Sequence, residues 1–215
     1  MQKNIERDYK IYKVIMVLFF AHRINSSTQL KTIPRQHGIE LDLRDFRNEL
    51  ILEHDPFKGG ELFENYLKEY KHSGIILNIK SERIEIRVLE LLKKYGITNY
   101  FFLDSSFPMI YHLNKHYDEQ NIAIRFSEYE LIESVLRVKD MVKWVWVDCF
   151  TRFPLTPTTY KQIKDAGLKI CLVSPELQGH LNSKEMITQI KEEIKRNGYE
   201  IDGICTKEYN IRLWK

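Results

Sequence analysis

Cysteine is scarce in this chain and never closely spaced. Cys149, Cys171 and Cys205 lie far apart, and no CxxC pair occurs. That excludes a thiolate zinc site of the usual spacing and a dense disulfide framework. An odd count, each in an apolar run, reads as buried free thiols in a reducing compartment. Runs of like charge are missing too. The 33 Lys and Arg and 30 Asp and Glu are interspersed, for a net charge of +3. With no basic run and no aromatic–basic stripe, nucleic acid is not an expected partner, while a mild positive bias suits an anionic substrate. No apolar run is long enough to cross a bilayer as a helix. Val14–Phe20 is apolar and follows several lysines, but it ends in Ala21-His22-Arg23 rather than in a small-residue cleavage site. It therefore reads as a buried strand, and the expectation is a cytoplasmic protein with no membrane partner. Linkers, repeats and low-complexity segments are absent as well, so residues 1–215 are read as one domain. The oligomeric state is not legible.

What the chain does have is alternation. Its 43% apolar share is enough for a sizeable core at this length. Eight short apolar runs read as strands: Val14–Ala21, Gly38–Leu43, Gly74–Ile79, Tyr100–Leu103, Ile122–Phe126, Trp144–Val147, Lys169–Val173 and Ile201–Cys205. Continuous apolar runs are the mark of parallel strands covered on both faces. Between them, Glu61–His72, Glu82–Tyr95, Pro108–Asp118, Glu130–Lys139, Thr158–Ala166 and Ser183–Arg196 carry apolar residues at helical spacing. Gly96, Gly167 and Gly198 close three of these helices, and Ser183 is the expected N-cap of the last. Asp45–Leu52 reads as an inserted β excursion turning at Arg47-Asn48. Segment Gln2–Lys10 is polar and reads as a cap over the bottom of the fold. The pattern predicts an α/β fold, a short (β/α)8 TIM-type barrel whose last helix is reduced or absent; an open doubly wound sheet is the alternative.

In such a barrel, chemistry sits at the C-terminal ends of the strands. His22-Arg23 follows the first strand there. Glu40 and Asp42, at i and i+2, share one face of the second. His54-Asp55 lies on its loop, and Asn78 and Lys80 end the third. Ionisable residues recur farther on at Asp104, Arg125, Asp148, Glu176 and Lys207. Arg125 reads as a structural partner of Glu128, with a phosphate ligand as the alternative; Trp144 and Trp146 share one strand face and read as packing against helices, with one lining the mouth as the alternative. His37, His72, His112, His116 and His180 read as packed or surface histidines.

The order Ala21-His22-Arg23, Glu40-Leu41-Asp42, His54-Asp55, Asn78-Ile79-Lys80, Ser106-Phe107 and Asp202-Gly203-Ile204-Cys205-Thr206 resembles the glycerophosphodiester phosphodiesterases, within the phospholipase-C-like phosphodiesterase barrels. The resemblance implies a metal-dependent phosphodiesterase acting on a small soluble glycerophosphodiester. His22 and His54 would be general acid and base. Arg23 and Lys80 would bind the phosphate. Glu40, Asp42 and Asn78 would hold a divalent metal, Mg2+ or Ca2+. The chemistry agrees: such an ion polarises phosphoryl oxygens, imidazoles move protons near neutral pH, and a guanidinium fork suits phosphate. The chain departs from the family pattern in five places. Asn78 stands where the third metal carboxylate is expected, Ile24 replaces the glycine after His-Arg, and Lys207 replaces the acid after the final threonine. The family's Glu-Asn-Thr is missing at Asn25–Thr28, and its tryptophan motif is missing at Ile170–Ser174. The first departure motivates a competing reading, a barrel that only binds a phosphorylated ligand or a partner. A metal-free transesterification releasing a cyclic phosphate is a third.

Overall fold

The computed structural model describes residues 17–215. The polar cap expected at Gln2–Lys10 and the start of the first expected strand lie outside the described residues. Eight parallel strands form the scaffold: β1 (Leu18–Ala21), β2 (Gly38–Phe46), β5 (Ile75–Ile79), β6 (Tyr100–Leu103), β7 (Ala123–Phe126), β8 (Trp144–Val147), β9 (Lys169–Val173) and β10 (Gly203–Thr206). β1 pairs with both β2 and β10, and β5 joins β2 to β6. The ladder then runs from β10 through β9 and β8 to β7. Between β6 and β7 it narrows to one parallel bridge, Phe102 to Ile122, with Phe102 N–H on the Asn121 carbonyl at 2.8 Å. This is the expected eight-stranded α/β barrel, with one thin seam.

The excursion after β2 is a hairpin. β3 (Glu49–Leu52) runs antiparallel to β2, and Arg47 and Asn48 at its turn both have positive φ, the backbone of a tight two-residue hairpin loop. β4 (Glu61–Leu62) extends the hairpin, pairing Glu61 with Leu52. The helix expected over Glu61–His72 is therefore shortened to α2 (Phe63–Glu69), because its first residues are drawn into sheet pairing. α1 (Ser27–Leu30) is one turn, capped by Ser26. The remaining helices, α3 (Glu85–Lys94), α4 (Phe107–Tyr117), α5 (Ile132–Arg137), α6 (Pro157–Asp165) and α7 (Ser183–Asn197), lie where the spacing puts them. Gly198 takes positive φ at the end of α7, as its C-cap role requires. Ser183, however, is the first helical residue; Asn182 precedes it and makes no capping bond. The last helix, α8 (Ile211–Trp214), is a single turn.

Alternation along the strands sorts the interior. Phe20, Ile76, Phe101, Leu103, Ala123, Trp144, Trp146, Cys171, Val173 and Cys205 fill the barrel's inside as one apolar cluster. Phe20 fits because its neighbours are glycines: a Cβ on Gly38 would lie 2.4 Å from the Phe20 ring. Trp144 and Trp146 thus face inward rather than against helices, and Trp144 stacks on Phe101 at 4.6 Å. The outward strand residues and the helices form the larger core. All three cysteines are buried and free. No described helix is long and apolar enough to cross a membrane. On the same inward faces, the next residues toward the C-terminal end are polar, and they build the mouth.

Candidate active site

Glu40 and Asp42 point inward from β2, each about 1% exposed. The β2–β5 register sets Asp42 beside Asn78. Asn78 Nδ2 donates to Glu40 Oε1 at 2.9 Å. β1 delivers His22 and Arg23 to the same place. Arg23 has φ +58°, a left-handed conformation costly for a side-chain-bearing residue. That turn aims its N–H at Glu40 Oε2, 2.7 Å away, and its Nε lies 3.3 Å from Asp42 Oδ2. His22 Nε2 is 3.7 Å from Glu40 Oε2. Lys80, one residue past β5, has its Nζ 3.8 Å from Asp42 Oδ1 and 3.2 Å from Asp104 Oδ2.

Six of the seven residues singled out by sequence therefore meet: His22, Arg23, Glu40, Asp42, Asn78 and Lys80. The seventh is not joined to them. His54 is about 40% exposed on the loop after β3, and its Nδ1 bonds Asp55 at 2.9 Å. Only its backbone neighbour ties the loop to the site, through Glu53 N–H on the Asp42 carbonyl.

Electrostatically the pocket is under tension. Burial pushes the Glu40 carboxyl up, against the bonds from Asn78 and the Arg23 N–H. Burial and the adjacent Glu40 push Asp42 up. Burial, with Lys207 and Arg23 nearby, drives His22 down to about 3, so its imidazole is neutral at physiological pH. Two of the buried side-chain atoms that lack a hydrogen-bond partner among the described residues lie in this pocket, Asp42 Oδ1 and Asn78 Oδ1. A buried acceptor without a donor is costly. Two on registered neighbours beside a second carboxylate fit an oxygen-liking divalent ion. The donor set is two carboxylates and one amide; among the described residues no group of three or more His, Cys, Asp and Glu is arranged to hold a metal.

Asn25 was not singled out by sequence, and other residues at the mouth take partners the sequence did not give. Asn25 clamps Asp42 twice: its Nδ2 donates to Oδ2 at 2.9 Å, and its Oδ1 accepts the Asp42 N–H at 2.8 Å. Its position two residues past Arg23 was the available signal. Lys207 Nζ lies 3.1 Å from His22 Nδ1. Arg125 is structural, but its partners are Asp104 (2.8 and 3.0 Å) and Asp148 rather than Glu128; Glu128 instead accepts from Thr151 and the backbone beside it. Asp148 also accepts from Trp146 Nε1 and Gln178 Nε2. Asp104 and Asp148 are thus taken up by Arg125, and Glu82 accepts from Ser106.

No family model and no curated protein sequence matches the chain. Solved structures do match. A glycerophosphodiester phosphodiesterase from Agrobacterium tumefaciens superposes with a TM-score of 0.65 at 15% identity, covering 93% of this chain and 99% of that one. A phosphodiesterase from Oleispira antarctica, solved with its product sn-glycerol-3-phosphate, gives 0.64 at 13% identity over 91% and 94%. A glycerophosphoryl diester phosphodiesterase from Parabacteroides distasonis gives 0.62 at 14% over 94% and 86%. At these identities the shared property is the fold: over nearly its whole described length, this chain has the barrel of the glycerophosphodiester phosphodiesterases.

Proposed function

We propose that the protein is a metal-dependent phosphodiesterase that hydrolyses a small glycerophosphodiester-like substrate. The observation that carries this reading is the pair of unpartnered buried oxygens, Asp42 Oδ1 and Asn78 Oδ1, beside Glu40 and flanked by Arg23 and Lys80. Such a pocket takes a cation together with the anion the cation binds. Glu40, Asp42 and Asn78 would hold Mg2+ or Ca2+. When bound, the ion supplies Lewis-acid polarisation of the phosphoryl oxygens. Arg23 and Lys80 would grip the phosphate, the guanidinium as a fork and the ammonium as a point charge. His22 and His54 would handle the protons of the attacking water and the leaving alcohol. His54, on an exposed loop, has to approach the bound substrate to do so; catalytic contacts that tighten only in the complex are common. The small product held by the Oleispira antarctica neighbour supports a substrate of the same size. The protein is expected to act in the cytoplasm, with no nucleic acid or membrane as partner.

The test is a panel of glycerophosphodiesters and an aryl phosphodiester, assayed with Mg2+ or Ca2+ and again with excess chelator. Turnover that depends on the metal and vanishes in His22→Ala and His54→Ala is the expected result. No turnover across the panel with either ion would overturn the reading. A cyclic phosphate product, seen by phosphorus NMR, would replace hydrolysis with transesterification.

A further inference from the structure

Resting on the phosphodiesterase reading, we propose that Asn25 is a positioning residue that withholds one oxygen of Asp42 from the cation, and that the site it leaves selects Mg2+ over Ca2+.

The placement begins in the turn after β1, where the chain past Arg23 is stapled residue by residue. The Ile24 N–H donates to the Glu40 carbonyl at 2.8 Å, and the Ile24 carbonyl accepts from the Tyr66 hydroxyl at 2.9 Å. Ile24 is itself buried, so the side chain that stands here in place of a glycine anchors the turn in the core. The Asn25 N–H donates to Gln29 Oε1 at 3.0 Å. From this fixed backbone the Asn25 amide meets Asp42 twice, with Nδ2 on Oδ2 at 2.9 Å and the Asp42 N–H on Oδ1 at 2.8 Å. A backbone N–H can only donate, so Asn25 Oδ1 must face it, and Nδ2 is left to face the carboxylate. The two bonds hold the Asp42 carboxylate in one orientation.

The consequence is a count of oxygens. Asp42 Oδ2 receives Asn25 Nδ2 and has Arg23 Nε at 3.3 Å as well. Oδ1 accepts no hydrogen bond among the described residues, and Lys80 Nζ, 3.8 Å from it, is beyond hydrogen-bond range. Asp42 therefore offers a cation one oxygen. Glu40 is held at both, Oε1 by Asn78 Nδ2 at 2.9 Å and Oε2 by the Arg23 N–H at 2.7 Å. An oxygen that accepts one bond keeps a lone pair and can still ligate, but turning both Glu40 oxygens onto one ion would break a bond. Asn78 adds its unpartnered Oδ1. The pocket thus supplies one oxygen from each of Glu40, Asp42 and Asn78, and no carboxylate that grips by both. Ca2+ gathers about six to eight oxygens and often takes a carboxylate by both. Mg2+ keeps several waters and is satisfied by one or two carboxylates together with the phosphate of its substrate. Two singly offered acids and an amide beside Arg23 and Lys80 make the second kind of site.

A residue that only shored up the fold would weaken both ions alike when removed, whereas one that withholds an oxygen changes their ratio. Calorimetric titrations with Mg2+ and with Ca2+, without substrate, read that ratio in the wild type and in Asn25→Ala. Melting temperatures in each ion give it a second time, since a ligand stabilises the fold in proportion to its affinity. The wild type should bind Mg2+ the more tightly. Asn25→Ala frees Asp42 Oδ2 to turn onto the ion, so the preference for Mg2+ should fall about tenfold, within the range lost when the partner of a metal ligand is removed. Gln29→Ala loosens Asn25 without touching Asp42 and should shift the ratio the same way by less; it carries the test if Asn25→Ala does not fold. Tighter Ca2+ binding in the wild type, or an equal loss of both ions in Asn25→Ala, overturns this inference and leaves the phosphodiesterase reading standing. Binding of neither ion removes the metal from that reading and the inference with it. Turnover of a diester plays no part in either outcome.

Discussion

On the β1–β2–β5 side of the mouth, Asp42 Oδ1 and Asn78 Oδ1 are buried without hydrogen-bond partners, though Lys80 Nζ lies 3.8 Å from the first. Across from them, on the β6–β9 side, every carboxylate oxygen of Asp104 and Asp148 is bonded, by Arg125, Lys80, Trp146 and Gln178. Both regions place acids and cations at strand ends, and both are largely shielded from water. One side is fully hydrogen-bonded, and the other, though it has its own ion pairs, is left with two unmet acceptors. A closed network of buried charges gains nothing from a ligand, whereas an open one with unmet acceptors does. On the proposed function, the first is the working half of the mouth and the second braces it, with Lys80 touching both through Asp42 and Asp104.

The sharpest way to break that division is Asp42→Asn. It keeps the shape and removes one of the two negative charges available to a cation. Turnover should fall by about 1,000-fold, in the range lost when a key electrostatic group is removed from an active site, and calorimetry should show divalent binding gone while the folded spectrum is kept. If Asp42→Asn turns over normally, the open half is not the working half. On the bracing side, Arg125→Met leaves two acids facing each other without their shared cation. Breaking a buried pair in this way costs about 3–5 kcal/mol, read as a drop in urea stability at pH 7.5. Burial already pushes Asp148 up to about 6 against the pull of Arg125, and without Arg125 it rises further. A carboxyl whose folded pKa exceeds its unfolded one binds protons more tightly when folded, so stability falls as pH rises through that range. The loss in Arg125→Met should therefore shrink between pH 7.5 and pH 5.

How far each half was legible follows from what holds it. The strands and helices were readable because parallel strands covered on both faces leave continuous apolar runs. Glu40 and Asp42 were readable because strand alternation puts i and i+2 on one face. The hairpin at Arg47-Asn48 follows from its turn residues. The bracing half was not legible: Asp104, Arg125, Asp148 and Gln178 come from four separate strand ends, and their pairing is set by barrel closure rather than by spacing. For the same reason Arg125 was matched to the nearby Glu128 instead of the distant Asp104 and Asp148. Trp144 and Trp146 were read as facing helices because alternation alone does not say which face of a doubly covered strand looks into the barrel. Glu61 read as helical from its apolar neighbours, but the Ile51-Leu52 edge claimed it as a strand. The Lys207 contact with His22 spans nearly the whole chain, and only the β1–β10 pairing creates it.

The working half also predicts an acid sensitivity. His22 has its pKa depressed to about 3, chiefly by burial and then by Lys207 and Arg23. A depressed histidine binds its proton less readily folded than unfolded. Stability is therefore lost as pH falls from about 6.5 toward 3. At pH 4.5 the loss from this one group is roughly 2–3 kcal/mol by linkage. His22→Gln should lack it, so urea midpoints at pH 7.5 and pH 4.5 should lie closer together in the variant than in the wild type. An equal spread in both would place the His22 ring in a wetter setting than its 15% exposed side chain implies.

The smallest expected effect comes from completing the carboxylate set. In Asn78→Asp a third negative charge meets Glu40 and Asp42, and Glu40 Oε1 loses the donor it has from Asn78 Nδ2. Without a divalent ion, three buried acids crowd one another, and the protein should be less stable than wild type. With the ion present, the added anionic oxygen tightens binding, by about tenfold or some 1.4 kcal/mol, since hard cations favour charged oxygen ligands. Because a ligand stabilises the fold in proportion to its affinity, melting temperature should rise more steeply with Mg2+ or Ca2+ in Asn78→Asp than in the wild type. The two curves should cross as the ion is added. If the variant is weaker at every ion concentration, the amide of Asn78 serves to hold Glu40 and not to face a cation, and the open half of the mouth is built for an anion alone.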